Sequence, residues 1–166
     1  TMNRILAGLG LMALCTPLFA QDADMLRELS DRAAIKETMQ KYVWSVDALD
    51  ADGYVSLFTE DAVIDSNGRI IKGHAAIRNI VTDLAARQAA NRKAGKPPGA
   101  IYHVISNERV SFVSPTEALY QSYWQTLRKG EEKRYVAGGF GRSEDRLVKR
   151  DGKWLIDSRK LVVFTD

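Results

Sequence analysis

Two periodicities divide the chain. Over residues 31–46 apolar side chains recur every three or four positions, which places them on one face of a helix. A short second helix is predicted from a cap at Asp52 through Phe58, and a third begins at Gly73-His74. The apolar faces of the first and third helices are Ile35, Met39, Tyr42, Val43 and Val46, and Ile77, Ile80, Val81 and Leu84. Three helices are therefore expected ahead of the main sheet.

From residue 101 onward the apolar pattern alternates with a period of two, which is typical of strands. Turn sequences at residues 114–116, 129–131 and 150–152 separate four predicted strands, at residues 102–113, 118–128, 133–149 and 154–164. Two shorter strands, at residues 62–66 and 69–72, flank the hairpin-turn dipeptide Asn67-Gly68, and Gly138, Gly139 and Gly141 predict a bend or bulge. We expect an α+β domain with a strongly curved, mostly antiparallel sheet.

Asp47 lies at the border of the first helix's apolar face, beside Val43. A carboxylate in that position must be solvated, paired or used, because an unpaired buried charge costs several kcal/mol or shifts its pKa. Asp47 is therefore either an ordinary solvated acid at a helix end or part of a functional site.

The first twenty residues have the layout of a secretory signal peptide. Arg4 precedes an apolar run over residues 5–14, and Ala20 ends a small-residue cleavage sequence. We expect residues 1–20 to be removed, leaving one domain over residues 21–166 in the periplasm or outside the cell. The apolar run is too short to predict a membrane anchor, and the single cysteine, Cys15, lies within it.

The charge balance argues against a polyanionic partner. The formal net charge is only +3, and no basic stripe suggests binding to nucleic acid or to a membrane surface. The two histidines, His74 and His103, do not have metal-ligand spacing. No metal, no cofactor and no nucleic-acid or membrane partner is therefore expected.

Several markers, taken in order, resemble the SnoaL-like and scytalone dehydratase-like branch of the nuclear transport factor 2-like superfamily. They are residues 31–35 leading to Val46-Asp47, residues 57–62, residues 72–77, His103 with Ser106-Asn107, and residues 144–156. The resemblance covers nearly all of residues 30–165. It implies a cone-shaped α+β barrel, in which a curved sheet wraps the first helix around an apolar pocket.

The resemblance also implies a chemistry. Scytalone dehydratase, bile acid 7α-dehydratase and hexachlorocyclohexane dehydrochlorinase belong to this branch, and they perform eliminations with a histidine–aspartate pair and no metal or cofactor. By position, Asp47 matches the family's aspartate, His103 matches its histidine, and Tyr42 matches the tyrosine of the bile acid enzyme.

The same three residue types suit elimination on chemical grounds. Histidine is a natural base at neutral pH, a carboxylate on its second ring nitrogen fixes the tautomer, and a tyrosine hydroxyl can donate to a leaving oxygen. Each also has a plainer interpretation. Asp47 could be a solvated acid, His103 a polar residue on a half-exposed strand, and Tyr42 a core residue. Tyr42 and Asp47 also lie about 140° apart on an ideal helix, so both line one cavity only if the helix end is distorted or the pocket wraps around it.

Other polar and aromatic residues have simpler predictions. His74 is expected to cap a helix or lie at the surface. Arg146, Lys149, Arg150, Arg159 and Lys160 are predicted on the solvent side of the sheet, and Trp44, Trp124 and Trp154 in the core or the pocket wall.

Two functions remain open at this stage. The first is a cofactor-independent lyase of the dehydratase type, or an isomerase, that acts on a small hydrophobic substrate, cyclic substrates included. The alternative is a non-catalytic module of the same fold for small-molecule binding or dimerisation, since fold alone does not decide function. In either case we expect a homo-oligomer, a dimer or a trimer.

Overall fold

A computed structural model describes residues 16–129 and 134–164, with side chains from residue 21 onward. Its elements in chain order are α1 (Thr16–Asp47), α2 (Ala51–Val55), β1 (Phe58–Ser66), β2 (Arg69–Lys72), α3 (Gly73–Lys93), β3 (Ile101–Ser114), β4 (Glu117–Lys129), β5 (Tyr135–Arg150) and β6 (Lys153–Val163). The α+β prediction is confirmed. The predicted turn at residues 129–131 and the first residue of the predicted third long strand lie largely outside the described residues.

The strands form one mixed sheet in the order β2-β1-β6-β5-β4-β3. Strands β3 to β6 form the predicted antiparallel meander, whereas β1 pairs in parallel with β6. Over the described residues, hydrogen bonds do not close the sheet into a barrel. Helix α1 covers the inner face instead, and Thr38 Oγ1 donates to the Trp154 carbonyl at 3.0 Å, which fixes the helix to β6.

The predicted apolar face of α1 is the centre of the core. Ile35 and Met39 are almost fully buried, and Tyr42 and Val46 are buried as well. Burial of each such side chain contributes about 1.5–3 kcal/mol. They pack with Tyr54, Phe58, Ile77, Val81, Tyr120, Leu147 and Ile156. The periodicity therefore identified the buried face correctly.

Helix α1 begins fifteen residues before the predicted start at residue 31. Residues 21–30 are helical although all are exposed, because no proline or glycine interrupts them and most favour helix. Asp31 and Ser30 both suit a helix N-cap by residue type, but the buried carboxylate of Asp31 accepts hydrogen bonds from Lys149 Nζ at 2.6 Å and Trp154 Nε1 at 2.9 Å. The acid ties α1 to the sheet instead of capping a helix. The signal-peptide interpretation of residues 1–20 stays a prediction, since residues 1–15 are outside the described part.

Neutralising Asp31 should destabilise the fold in a pH-dependent way. Burial acts to raise the pKa of Asp31, but hydrogen bonds from Lys149 and Trp154 and the charge of Lys149 hold that pKa below its ordinary value of 3.8. A lowered folded-state pKa adds stability above pH 3.8 that is lost as the pH falls through the folded value. We expect Asp31→Asn to lower the free energy of unfolding by about 2 kcal/mol near neutral pH and by less in acid.

Urea denaturation at a series of pH values measures this difference. Asp83→Asn, which removes an exposed acid of α3, is the control and should show no such trend. An equal loss for Asp31→Asn at every pH would mean that the ionised carboxylate is not the stabilising group.

Two local predictions around α2 are wrong. Asp50, not Asp52, caps the helix, and its side chain accepts from the Gly53 backbone N–H at 2.9 Å. Asp52 pairs with Arg78 of α3 at 2.8 Å instead. The helix ends at Val55 and Phe58 already begins β1. Asp50 and Asp52, which are separated by one residue, both suit a cap by residue type, and the extended backbone of Asp50 decides between them.

The glycines of β5 mark a real irregularity. The β4–β5 register shifts between Gln125 and Leu127, opposite Gly138 and Gly139. A Cβ on Gly138 would lie 2.5 Å from Thr126 Oγ1, so a larger residue would force the Thr126 side chain or the strand to shift. The predicted bulge is thus confirmed, and it lies in the pairing of β4 with β5. Over the described residues, no helix combines the length and the apolar character needed to cross a membrane.

Candidate active site

The structure brings Asp47 and His103 together. Asp47 Oδ1 accepts a hydrogen bond from His103 Nδ1 at 2.6 Å, and Asp47 Oδ2 accepts from the His103 backbone N–H at 3.0 Å. The side chains are 16% and 26% exposed. The two bonds fix both the ring and its strand relative to the helix end. Asp47 is therefore a paired acid rather than a solvated one.

The end of α1 determines where the carboxylate lies. Asp50 N donates to Ser45 O at 2.9 Å and Leu49 N to Val46 O at 3.2 Å, with Leu49 at φ 60. These bonds form a Schellman ending that makes Asp47 the last helical residue. A carboxylate beside the partial negative charge of a helix C-terminus is unfavourable unless a cation or a proton donor faces it. The pairing with His103 supplies that donor.

The hydrogen bond also sets the tautomer of His103. A carboxylate accepts only, so Nδ1 carries the proton when the ring is neutral and Nε2 has a free lone pair. Nε2 has no hydrogen-bond partner among the described residues. This is the state that a general base requires.

His103 lines two adjoining cavities on the inner side of the sheet. One has a volume of about 650 Å³ and the other about 200 Å³. The two cavities share Tyr42, His103 and Leu161. Apolar residues from all three helices and from β1, β2, β3 and β6 form most of the larger wall, and Ile105, Trp124, Thr126 and Arg159 line the smaller one. The larger volume suits a small organic molecule.

Tyr42 lines both cavities and also belongs to the core, being 8% exposed. Its ring packs against Tyr54 at 5.2 Å and Phe58 at 6.2 Å between centroids. The angular mismatch with Asp47 has a simple resolution. Asp47 does not line either cavity; it lies behind His103, and His103 and Tyr42 form the wall.

A buried ionic cluster beneath Tyr42 was not predicted. Arg159 is 3% exposed and its guanidinium carbon lies 4.1 Å from the centre of the Tyr42 ring. Arg159 Nη1 is 3.3 Å from Asp145 Oδ1 but is not aligned for a hydrogen bond, and Asp145 Oδ2 accepts from Ser143 Oγ at 3.1 Å. The prediction that Arg159 faces solvent is wrong. A register shift in the β5–β6 pairing between Ile156 and Ser158 reverses which residues of β6 point inward.

The ionisation of the cluster follows from its burial. Burial raises the pKa of Asp145 to about 6, while Arg159 and Ser143 oppose the shift. Burial also raises the pKa of Tyr54 well above its ordinary value of 10.0, and the neighbouring Tyr42 adds to that shift. Tyr54 is thus neutral at physiological pH. The Arg159 charge lies in a region of low polarity, where it acts more strongly on anything bound nearby.

Asp145 could have been found from the sequence. Asp145 lies an even number of residues from Gly141, Ser143 and Leu147 of β5, which are all buried. Because side chains alternate between the two faces of a strand, Asp145 must point inward with them. An acid on the inner face of a central strand needs a buried cation, and Arg159 is directly opposite in the register.

The remaining histidine and aromatic predictions have mixed outcomes. His74 Nε2 donates to the Phe58 carbonyl at 3.0 Å, so its half-buried ring joins the start of α3 to β1 and neither caps the helix nor lies free at the surface. Trp154 is buried and Trp124 lines the smaller cavity, but Trp44 is 75% exposed, contrary to prediction. Within residues 16–129 and 134–164, no three His, Cys, Asp or Glu side chains come together as a metal site would require.

Comparison with solved structures shows the same fold in several proteins. An NTF2-like protein with a cystatin-like fold from Novosphingobium aromaticivorans has a TM-score of 0.71 at 21% identity, over 93% of this chain and 92% of that one. A candidate scytalone dehydratase from the same species has a TM-score of 0.70 at 23% identity, over 85% and 89%. A hexachlorocyclohexane dehydrochlorinase from Novosphingobium barchaimii has a TM-score of 0.67 at 20% identity, over 84% and 90%.

These identities establish a shared fold and not a shared activity. Other neighbours, such as a protein from Mycobacterium tuberculosis, have no known function. No curated protein matches the sequence significantly. The SnoaL-like domain family matches residues 27–160, which is most of the described chain. The chain therefore belongs to the SnoaL-like family of the NTF2-like superfamily.

Proposed function

We propose that this protein is a cofactor-independent lyase of the dehydratase type, or an isomerase, acting on a small hydrophobic substrate, cyclic substrates included. The observation that carries the proposal is the 2.6 Å hydrogen bond between Asp47 and His103, whose imidazole lines a cavity of about 650 Å³. Distant relatives of the fold include a candidate dehydratase and dehydrochlorinases, which is consistent with elimination.

His103 is the proposed general base and acid. Nε2 removes a proton from a carbon of the substrate, and the electrons of that C–H bond form the new double bond as the adjacent C–O or C–halogen bond breaks. In a dehydration, the imidazolium returns its proton to the departing oxygen, so water is released and the protein is unchanged. When a halide leaves, the imidazolium instead loses its proton to solvent water, which restores the free base. In an isomerisation, the same proton is delivered to a different carbon.

Asp47 is a positioning residue in this mechanism. Its carboxylate holds the Nδ1–H tautomer and stabilises the positive charge that forms on the ring, as in other histidine–carboxylate pairs. The backbone bond to the His103 N–H keeps the carboxylate in place through the cycle.

Tyr42 and Arg159 are proposed to stabilise the leaving group or an enolate-like intermediate. Tyr42 lines the cavity beside His103, and Arg159 lies against the Tyr42 ring at 4.1 Å. Hydrogen-bond donors placed before the reaction, in a region of low polarity, stabilise developing negative charge strongly. Tyr42→Phe should therefore lower the rate while leaving the packing of the ring intact.

The test is a screen of the purified protein against hydroxylated steroids, terpenoids and polyketides, with mass spectrometry for loss of water or halide and NMR for isomers. Wild type should convert at least one compound, and Asp47→Asn and His103→Ala should not. Retained turnover in both variants would contradict the proposed mechanism. Saturable binding with no turnover by wild type would favour the non-catalytic alternative.

Two further expectations accompany the proposal. Export to the periplasm or the exterior rests on the sequence of residues 1–20. Self-association as a dimer or trimer is supported by an exposed aromatic cluster on the outer face of the sheet, where the Tyr123 and Phe140 rings stack and Phe164 lies against both. Exposed apolar patches of this kind often mark interfaces between proteins.

A further inference from the structure

The larger cavity has an apolar interior and a charged mouth. Tyr42, Val46, Tyr54 and Ile64 line it and are all buried. Arg69, Asp83 and Arg87 line it as well, but they are exposed. This division means that a molecule filling the cavity would have its apolar part surrounded and one end among charges.

The two arginines at the mouth have no partner. Elsewhere Arg32, Arg78 and Arg146 each pair with a carboxylate. Within the described residues, the side chains of Arg69 and Arg87 form no hydrogen bond, ion pair or ring contact. Asp83 precedes Arg87 by four residues on α3, a spacing that favours pairing, yet the two do not bond in the structure. The three charges leave the mouth with one net positive charge.

A second polar group on the same wall is also incompletely bonded. Gln88 follows Arg87 on α3, is only 7% exposed and lines the cavity. Its Oε1 accepts from Arg92 Nη2 at 3.3 Å, whereas its amide nitrogen has no acceptor among the residues described. This nitrogen is not among the fully buried unbonded atoms of the described residues, so it is open to the cavity and can donate to a ligand there.

We infer that the mouth binds an oxyanionic substituent of the substrate. The ligand has an apolar body in the cavity and one oxyanionic group, a carboxylate or a phosphate, between Arg69 and Arg87, with Gln88 as an additional donor. Arginine suits this role because its planar fork of N–H groups matches the geometry of both groups. The inference rests on the cavity of the proposed function and adds the class of substrate. Residues of α3 and β2 would then recognise the oxyanionic group of the substrate, and His103 of β3 would carry out the reaction.

A matched pair of fluorescent probes tests the inference. 1-Anilinonaphthalene-8-sulfonate carries an oxyanion on an aromatic body, and N-phenyl-1-naphthylamine is the same body without it. Wild type should bind the sulfonate about tenfold more tightly. Arg69→Gln and Arg87→Gln should each weaken sulfonate binding about threefold or more, and binding of the neutral probe by less than about twofold. Equal affinity for both probes would overturn the inference.

Two variants control for charge and for position. Lys93→Gln removes one positive charge from the same helix outside the cavity, and it should not change the preference for the sulfonate. Tyr123→Ser removes part of the exposed aromatic cluster on the outer face, where the probes could also bind. Loss of binding in Tyr123→Ser but not in the arginine variants would contradict a site at the cavity mouth.

Competition with unlabelled compounds identifies the oxyanion. Naphthalene-1-carboxylate and 1-naphthyl phosphate should displace the sulfonate probe better than neutral naphthalene-1-carboxamide, and the stronger of the two acids names the preferred group. Displacement by the amide equal to that by both acids would refute anion recognition.

This inference and the proposed reaction can fail separately. His103→Ala should lose turnover and keep the preference for the sulfonate probe. Arg69→Gln and Arg87→Gln should each reduce that preference, whereas Lys93→Gln, outside the cavity, should change neither the preference nor turnover. A wild type with turnover and no preference would remove only the present inference, and a preference without turnover would remove only the reaction.

Discussion

His103→Ala should lower the rate of the proposed elimination by about a thousandfold or more. The substitution removes the only group in the described cavity walls that the structure holds ready, with a free Nε2 and a fixed tautomer, to move a proton. A positioned general acid–base contributes roughly 10²–10⁴-fold. Asp47→Asn should cost about a hundredfold or more, because the amide no longer fixes the Nδ1–H tautomer or stabilises the imidazolium.

His74→Ala is the matched control, since it removes the other histidine of the chain. His74 bonds to the Phe58 carbonyl and lines neither cavity around His103. Its loss should affect stability more than turnover of the folded protein. Steady-state rates on the compound found by the screen, with circular dichroism to verify folding, measure the difference. Comparable losses in His74→Ala and His103→Ala would show that histidine removal acts through folding and not through chemistry.

The second large effect concerns stability. Asp145→Asn should lower the free energy of unfolding by about 3–5 kcal/mol, because it leaves the buried charge of Arg159 without its counter-ion. The asparagine has nearly the same shape, so a packing defect contributes little. Chemical denaturation followed by tryptophan fluorescence measures the change.

A double variant separates the loss of a counter-ion from a general effect of position. Asp145→Asn with Arg159→Met removes the unpaired charge and should recover a large part of the lost stability, since replacing a whole buried pair by neutral residues is often tolerated. Asp52→Asn, which breaks the exposed pair with Arg78, should leave the denaturation midpoint essentially unchanged. No recovery in the double variant would contradict the ion-pair explanation.

Helical periodicity predicted the core well because it depends on local geometry. Ile35, Met39, Tyr42 and Val46 were predicted on one face from their spacing alone, and all four are buried. The last residue of that helix, Asp47, was also recognised correctly as the acid at the border. Its hydrogen bond to His103 could be expected from the family resemblance but not from spacing, because the two residues meet only through the curvature of the sheet.

Strand parity failed where bulges reverse it. In β3 the register with β4 shifts between Ser106 and Arg109. Before the shift the odd-numbered residues His103 and Ile105 face the cavities. After it the even-numbered residues Val110 and Phe112 pack on the core. A corresponding shift in the β5–β6 pairing sends Arg159 inward. One extra residue in a strand exchanges its two faces, and the alternating sequence does not show where that residue lies.

Tertiary pairing explains the other misses. Asp31 suits an N-cap by type, but Lys149 and Trp154 from the far end of the chain bond its carboxylate. Trp44 has a large apolar side chain that is typical of a core, but it lies outside the buried face of α1 and is exposed. In both cases the burial and the partners of the side chain depend on residues that are distant in the sequence, and a local pattern does not show them.

The hydrogen bond between Asp47 and His103 can be examined without knowing the substrate. Nitrogen-15 NMR of the imidazole side chains, recorded over a series of pH values, reports which nitrogen carries the proton when the ring is neutral. We predict an Nδ1–H tautomer for His103, with a strongly deshielded proton that shifts in Asp47→Asn and is unaffected by Asp52→Asn. A predominantly Nε2–H tautomer in the wild type, unchanged in Asp47→Asn, would contradict the proposed catalytic pair.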